Sequence, residues 1–259
     1  MYQQVFSRFS FGRSVIRSGQ VIWRRSTMHF YWQAARWSSS LARFNSIRSY
    51  LQRWKTSFGD GRTPMKDESA WITFEALDYL DRWIRPTHSV FEYGSGGSTL
   101  YFCRRAARVV SVEHDKDWYA TVEEHVRLRG FKHWQGHLVV PQELKGAGPR
   151  SPESPNDFAS TLQGFENYSF EDYARTIARY EFESFDVIMV DGRARPSCIQ
   201  QALPYLRSGG LLVLDNADRP YYTVRMKDVL DAQFKPVLCR YSPIPYVPYF
   251  VITMILEKR

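Results

Sequence analysis

The stretch VFEYGSGGSTLYF, residues 90–102, carries the strongest structural signal in the sequence. A short apolar run typical of a buried strand ends at Tyr93, three glycines follow within four positions, and Ser98 then opens a helical pattern. Gly94 and Gly96 allow the backbone to turn tightly and to approach a bound ligand closely. The pattern indicates a ligand site where the carboxyl end of a buried strand meets the start of a helix.

Strand and helix patterns alternate on both sides of this stretch, which predicts a parallel sheet covered on both faces. The predicted strands are 90–93, 109–113, one beginning at His137, 185–191, 209–215, 237–241 and 250–257. The predicted helices are 67–84, one beginning at Ser98, 115–130, 170–180, 196–206 and 222–232. A proline-rich turn separates the last two strands, which favours antiparallel pairing. The expected fold is therefore α/β: a doubly wound, mostly parallel seven-stranded sheet with a C-terminal antiparallel hairpin.

The carboxylate before the glycines selects among ligands. A dinucleotide-binding turn has the pattern GxGxxG and rests a pyrophosphate on the helix N-terminus. Here Thr99 takes the place of the third glycine, and Glu92 would face a phosphate with like charge. The pocket is therefore expected to prefer a ligand that is cationic or that donates hydrogen bonds.

From about residue 65 onward the chain resembles the class I S-adenosylmethionine-dependent methyltransferases. The resemblance rests on the EYGSGG turn, on an acidic strand end in VVSVEHD, 19 residues after Gly94, and on the closing hairpin. It implies a Rossmann-like fold and S-adenosylmethionine as cofactor, with Glu113 on the ribose hydroxyls. The residues expected to bind the cofactor are Glu92, Tyr93, Gly94, Ser95, Gly96, Ser98, Glu113, His114 and Asp191. Simple turn and strand-end roles for the glycines and Glu113 remain alternatives.

Polar side chains also end the fourth and fifth predicted strands. Asp191, Asp215 and Asn216 are hard oxygen ligands suited to a divalent cation such as Mg²⁺. Their positions are similar to the cation ligands of metal-dependent O-methyltransferases, which implies a metal that lowers the pKa of an acceptor hydroxyl. Without a metal, Asp191 or Asp215 is the expected catalytic general base. The remaining alternative is that Asp191 belongs to a simple turn and that Asp215 and Asn216 cap loops, with no ligand bound.

The chain departs from the catechol-type pattern at Ala194, where those enzymes place a lysine. The neighbouring Arg193 and Arg195 stay protonated and are better suited to anchoring an acidic or phosphorylated substrate. Tyr221 and Tyr222, together with the Gly-, Pro- and Ser-rich loop 142–169, are expected to shape the acceptor pocket.

The expected acceptor is a hydroxyl oxygen of a small molecule, sugar or glycan. An Asn/Asp-Pro-Pro-Tyr/Phe motif, typical of enzymes that methylate base nitrogens, does not follow the fourth strand. Residues 60–259 carry 25 basic and 27 acidic groups, a balance that makes nucleic acid an unlikely partner.

Residues 1–60 differ in composition from the predicted methyltransferase domain at 61–259. Residues 1–59 contain ten Lys or Arg and no Asp or Glu. A membrane-surface helix, a transit-type leader and a non-native extension all fit this composition. Apolar residues from Trp37 to Trp54 recur at helical spacing, whereas no stretch has the pattern of a transmembrane helix. The expected location is cytoplasmic, with peripheral membrane contact through residues 1–60, or organellar targeting if the source is eukaryotic.

Two other classes of protein remain open at this stage. A nicotinamide-dependent oxidoreductase shares the fold but needs the third glycine that Thr99 replaces. A non-catalytic membrane- or RNA-binding adaptor would use the basic N-terminal segment and keep the fold as a scaffold.

Overall fold

The computed structural model describes residues 24–146 and 148–259. The first 23 residues of the predicted N-terminal segment lie outside this range. The helices are Thr27–Arg36 (α1), Leu41–Arg48 (α2), Leu51–Thr56 (α3), Pro64–Asp67 (α4), Phe74–Trp83 (α5), Gly97–Cys103 (α6), Lys116–Leu128 (α7), Glu171–Arg175 (α8), Arg195–Ala202 (α9) and Lys227–Gln233 (α10).

Seven strands form the main sheet, and four very short ones form two separate pairs. The strands are Ser89–Tyr93 (β1), Arg108–Glu113 (β2), Trp134–Leu138 (β3), Gln142–Glu143 (β4), Tyr168–Ser169 (β5), Phe185–Val190 (β6), Leu206–Leu214 (β7), Phe234–Leu238 (β8), Ser242–Pro243 (β9), Phe250–Val251 (β10) and Met254–Lys258 (β11).

The order of the main sheet is β3-β2-β1-β6-β7-β11-β8. Strands β1, β2, β3, β6 and β7 run parallel, whereas β11 is antiparallel to both β7 and β8. This arrangement confirms the doubly wound sheet with a C-terminal antiparallel hairpin. The chain passes from β1 to β2 and β3 on one side and later crosses to β6 and β7 on the other, so the topological switch point lies at the carboxyl end of β1.

Apolar side chains fill both faces of the sheet. All six residues of β6 are buried, as expected for a central parallel strand covered on both sides. Val90 packs with α5 and α6 on one face, and the next residue, Phe91, packs with α8 and α9 on the other. Because β1, β2, β3, β6 and β7 run parallel, their carboxyl ends meet at a single edge of the sheet.

Several element boundaries differ from the sequence prediction. The helix expected over 67–84 begins only at Phe74, because the Thr73 side chain accepts the Ala76 N–H as an N-cap. The helix expected over 222–232 is divided into two 3₁₀ turns, Pro220–Tyr222 and Val224–Met226, followed by α10. Strand β8 begins three residues earlier than expected and includes Pro236, which the edge position of this strand tolerates.

The described part of the N-terminal segment packs into the same core as the sheet. Ile47 and Trp54 are fully buried, whereas Leu41, on the predicted apolar face, is 78% exposed. The indole N–H of Trp54 donates to the carbonyl of Val247 over 3.1 Å, and the Phe30 ring meets that of Phe250 at 5.2 Å. Helices α1–α3 are thus built into the fold around the loop between β9 and β10. The division at residue 60 stays a prediction.

A search of the described residues for a helix with the length and hydropathy of a membrane span finds none.

Candidate active site at the carboxyl edge of the sheet

The glycine-rich turn after β1 packs directly against the turn after β6. Gly94 has φ +93°, and a Cβ at this position would lie 3.1 Å from the Cα of Gly192 and 3.2 Å from the carbonyl oxygen of Asp191. Only glycine fits both the left-handed backbone and the close approach. The turn therefore places the predicted cofactor residues beside the predicted catalytic residues.

Glu92 lies beneath this turn and is fully buried. Its carboxylate accepts hydrogen bonds from the hydroxyls of Ser98 (2.7 Å), Ser111 (2.6 Å) and Thr99. Burial raises its pKa to about 7, although the three hydroxyl donors act in the opposite direction. Since protein hydroxyls bind both oxygens, the geometry gives Glu92 a role in fixing the turn and the start of α6. A direct ligand contact stays a prediction for Glu92 and for Ser98.

Tyr93, which the sequence placed among the cofactor residues, has its side chain in the core. Its hydroxyl donates to the carbonyl of Ala174 over 2.8 Å, and its ring packs against Tyr173 at 5.8 Å. Alternation along β1 directs the side chain of Tyr93 toward α8, and the expected cofactor contact of this residue stays a prediction.

Glu113, at the end of β2, faces the glycine-rich turn. Oε2 accepts the N–H of Ser95 over 3.0 Å, and Oε1 accepts the backbone N–H groups of His114 (2.8 Å) and Asp115 (3.0 Å). Burial raises the pKa of Glu113, but the hydrogen bonds from His114 and the backbone outweigh it and hold the pKa below its usual value. Glu113 is therefore an ionised acceptor at the switch point.

His114 pairs with the same carboxylate, with Nδ1 2.7 Å from Oε1 of Glu113. Its Nε2 is buried and has no hydrogen-bond partner among residues 24–146 and 148–259. The ring lies between β2 and the aromatic side chains of Phe165 and Phe170, at 6.0 and 5.7 Å. A polar atom is thus directed into the space between the loop 142–169 and the sheet edge.

Trp118 is a site residue that sequence reasoning missed. Its indole N–H donates to the carbonyl of Ser95 over 2.7 Å, and a Cβ on Gly96 would lie 3.5 Å from its ring. The available signal was its place in the first turn of α7, three residues after the N-cap Asp115, which accepts the Trp118 N–H. The Trp118 ring therefore packs against the glycine-rich turn on the side of α7.

Asp191 and Asp215 follow neighbouring parallel strands, and the N–H of Asp215 donates to the carbonyl of Val190 over 3.3 Å. The Arg195 guanidinium lies against all three predicted metal ligands. Its Nη2 is 2.9 Å from Oδ1 of Asp191 and 3.5 Å from Oδ1 of Asn216, and its Nη1 donates to the carbonyl oxygen of Asp215.

These contacts do not fit a divalent cation. The guanidinium repels a second cation and already uses side-chain lone pairs of Asp191 and Asn216, two of the three predicted ligands. Among the described residues, no group of three or more His, Cys, Asp or Glu side chains is arranged to hold a metal. Burial raises the pKa of Asp191, and burial together with the nearby charge of Asp191 raises the pKa of Asp215 to about 8. The pair therefore retains one proton near neutral pH.

Tyr222 covers the other side of Arg195, with the guanidinium carbon 4.7 Å from the ring centroid. Its hydroxyl accepts a hydrogen bond from Arg219 over 3.1 Å, and its ring meets that of Tyr221 at 4.5 Å. Burial raises the pKa of Tyr222, but Arg195, Tyr221 and Arg219 together lower it below its usual value.

A cleft brings three of the four predicted substrate residues toward the long loop. Ser160 and Thr161, from the loop 142–169, face Arg193, Arg195 and Tyr222 across it. The empty space within the cleft, including its open mouth, is about 240 Å³. Tyr221 does not line this cleft but packs against Tyr222.

Comparison with protein-family models gives no match, and comparison with curated proteins gives none either. Among solved structures, the chain is similar to an O-methyltransferase from Bacillus cereus in complex with SAH, with a TM-score of 0.50 and 14% identity over 83% of this chain and 91% of that chain. A methyltransferase-like protein from Silicibacter pomeroyi gives a TM-score of 0.47 and 21% identity over 71% of this chain and 84% of that chain. An rRNA methylase from Streptococcus thermophilus gives a TM-score of 0.48 and 14% identity over 71% of this chain and 94% of that chain.

At these identities the likeness defines a class of fold. The chain has the Rossmann-like fold of class I methyltransferases, as the resemblance of its sequence implied. Its sheet order, with β11 antiparallel between β7 and β8, separates it from an all-parallel dinucleotide-binding sheet.

Proposed function

We propose that this chain is an S-adenosylmethionine-dependent methyltransferase that acts on a hydroxyl oxygen. The observation that carries the proposal is the meeting of the Gly94 turn, the ionised Glu113 and the Asp191–Asp215 pair at the switch point of the sheet. A cofactor site and a proton acceptor thus share one edge, which is where ligands bind in open α/β sheets.

Glu113 and the glycine-rich turn form the cofactor half of this site. The low pKa of Glu113 keeps its carboxylate ionised, and the lone pairs left over by the N–H groups of Ser95, His114 and Asp115 would accept the ribose hydroxyls. The tight turn at Gly94 allows a methionine moiety to approach the backbone, and Trp118 limits the site on one side. The Bacillus cereus protein of similar fold is described in complex with SAH, which supports this class of cofactor. When bound, S-adenosylmethionine supplies an electrophilic methyl group.

Asp191 is the better placed of the two carboxylates to act as base. Its side chain is 22% exposed, whereas Asp215 is 3% exposed and its Oδ1 accepts the Thr253 hydroxyl over 2.8 Å. Asp191 would take the proton of the acceptor hydroxyl while that oxygen receives the methyl group that the bound cofactor would supply. Arg195 fixes the orientation of the Asp191 carboxylate through its hydrogen bond to Oδ1.

A small hydroxylated molecule or glycan is the proposed acceptor. Nucleic acid is not excluded by the comparisons, since a protein of similar fold is described as an rRNA methylase. Location in the cytoplasm and peripheral membrane contact through residues 1–60 stay proposals.

The test is calorimetric titration of the full-length chain with S-adenosylhomocysteine, beside NAD and NADP. Saturable binding of S-adenosylhomocysteine alone, followed by transfer of labelled methyl from S-adenosylmethionine to a hydroxylated acceptor, is the expected result. Binding of NAD or NADP instead would indicate a nicotinamide-dependent oxidoreductase. A folded chain that binds none of these would overturn the proposed function.

A further inference from the structure

The cleft beside the catalytic pair is unusually rich in hydrogen-bond donors. Arg193 and Arg195 line it from the start of α9, and the hydroxyl-bearing residues Ser160 and Thr161 line it from the opposite loop. Nε of Arg193 is buried and has no hydrogen-bond partner in the described part of the chain. A buried N–H group without an acceptor is costly, and an acceptor oxygen of a bound ligand would satisfy this one.

The balance of charge around the cleft is positive. The guanidinium groups of Arg193, Arg195 and Arg219 all lie near enough to lower the pKa of Asp191. Asp215 is the second carboxylate of the pair, and its Oδ1 accepts the hydroxyl of Thr253 over 2.8 Å. Glu153, near the rim, is 3.8 Å from Arg225, and Asp218 accepts the N–H of Ile252.

Three guanidinium groups therefore lie near two carboxylates, Asp191 and Asp215. Arg195 is already bonded to Asp191, and Arg219 donates to the hydroxyl of Tyr222. Arg193 makes no ion pair within the described structure, which leaves its charge for a ligand.

We propose that this cleft binds an oxyanion group, a carboxylate or a phosphate monoester, carried by the methyl acceptor. The inference rests on the proposed function and deepens it, because it assigns a chemical class to the acceptor: a small hydroxylated acid. Arg193 is the primary anchor, and the hydroxyl group of Ser160 supplies a further donor.

The position of the anchor explains how such an acceptor is oriented. Arg193 lies two residues after Asp191 and two before Arg195, so an oxyanion bound to Arg193 holds the rest of the molecule next to the base. The space of about 240 Å³ counts the open mouth as well as the enclosed part, so it is an upper limit on the size of the group that binds beside Arg193.

Inorganic phosphate and acetate are the probes for this site, measured with the full-length chain. Phosphate is expected to raise the melting temperature beyond the effect of chloride at equal ionic strength, and acetate distinguishes recognition of a carboxylate from that of a phosphate. Arg193→Gln is the test variant, because this side chain has no ion pair in the described structure to lose. Arg127→Gln, an exposed position on α7, is the matched control.

Arg193→Gln is expected to weaken binding of the preferred anion by about tenfold, the loss of one charge-assisted hydrogen bond. Arg127→Gln is expected to leave anion binding unchanged. Equal anion effects in wild type and Arg193→Gln would overturn the proposal, as would a response to chloride as large as that to phosphate and acetate. Competition of an RNA oligonucleotide for the anion, lost in Arg193→Gln, would also overturn the choice of a small acceptor.

Titration with S-adenosylhomocysteine separates this proposal from the proposed function. Both arginine variants are expected to retain wild-type affinity for it, since neither residue touches the glycine-rich turn or Glu113. Loss of anion binding with intact cofactor binding supports the acceptor site. Anion binding without any cofactor binding would instead remove the methyltransferase assignment and, with it, the identification of the ligand as a methyl acceptor.

Discussion

Arg195 donates from Nη2 to Oδ1 of Asp191 over 2.9 Å, and this ion pair occupies the place where sequence reasoning put a divalent cation. The guanidinium is 7% exposed and packs against the ring of Tyr222. A fixed positive charge can hold a carboxylate in position and favour its ionised form, which are two of the tasks that a metal performs.

Replacing Arg195 by Met is expected to lower the free energy of unfolding by about 3 kcal/mol, since it leaves the buried end of Asp191 without its partner. Arg195→Lys keeps the positive charge but not the paired N–H donors of the guanidinium, so it is expected to lower the free energy of unfolding by less. Urea denaturation followed by circular dichroism measures both. Addition of MgCl₂ or EDTA is expected to leave the wild-type midpoint unchanged at constant ionic strength. A clear stabilisation by Mg²⁺ would contradict the assignment of Arg195 to this place.

Asp191→Asn is expected to lower the rate of methyl transfer by about 100-fold or more while S-adenosylhomocysteine affinity is retained, because only the base is removed. Since the base works when ionised and burial raises the pKa of Asp191, the wild-type rate should rise with pH through a value above the ordinary 3.8. The variant should lose this rise. Asp231→Asn, exposed on α10, is the control. A variant that keeps the wild-type pH profile would exclude Asp191 as the base.

Glu113→Gln is expected to weaken binding of S-adenosylhomocysteine by about tenfold or more, because a neutral amide replaces an ionised acceptor of the ribose hydroxyls. Calorimetric titration of the full-length chain measures the effect, and Glu124→Gln on α7 is the matched control. Binding of equal strength in wild type and Glu113→Gln would show that the carboxylate serves only to hold Ser95 and His114.

The sheet was predictable because its signals are local and strong: buried apolar runs, each ending in a turn. The order of polar strand ends also placed Glu113, Asp191 and Asp215 correctly at one edge. The hydrogen-bond partners of each side chain were not predictable. Glu92 and Tyr93 are adjacent in β1, and only the packed structure shows that hydroxyl groups bind the Glu92 carboxylate and that the Tyr93 hydroxyl donates to the carbonyl of Ala174. Arg195 could not be placed between Asp191 and Asn216 because that contact depends on the start of α9 at a left-handed Ala194, φ +46°.

Glu92→Gln tests the buried carboxylate through the pH dependence of stability. The pKa of Glu92 is raised from 4.5 to about 7 by burial, so the folded state binds a proton that the unfolded state has lost between these values. Folding stability should therefore fall as pH rises from 4.5 to 7, by roughly 3 kcal/mol from this residue. Glu92→Gln should lack this fall. Denaturation of both proteins at pH 5 and pH 8 gives the difference, and parallel pH curves would contradict a titrating Glu92.

Gln33 connects the N-terminal helices to the loop between β9 and β10, and its substitution tests whether they form one unit with the sheet. Its Nε2 donates to the carbonyl of Pro248 over 2.7 Å, and its Oε1 accepts the N–H of Phe250 over 2.8 Å. Gln33→Ala leaves that buried N–H unsatisfied and is expected to lower the free energy of unfolding by about 2 kcal/mol. The exposed Gln52→Ala is the control.

Deletion of residues 1–60 removes Gln33, Phe30 and Trp54 together and is expected to destabilise the remaining chain further, because loss of a buried Trp alone costs about 3–5 kcal/mol. Binding assays should therefore use the full-length chain, since a truncated protein that fails to bind S-adenosylhomocysteine would report unfolding rather than a missing site. If the truncated chain and Gln33→Ala unfold at the same denaturant concentration as wild type, the N-terminal helices are dispensable for the fold. They would then have to be explained by the membrane or leader roles that their charge suggests.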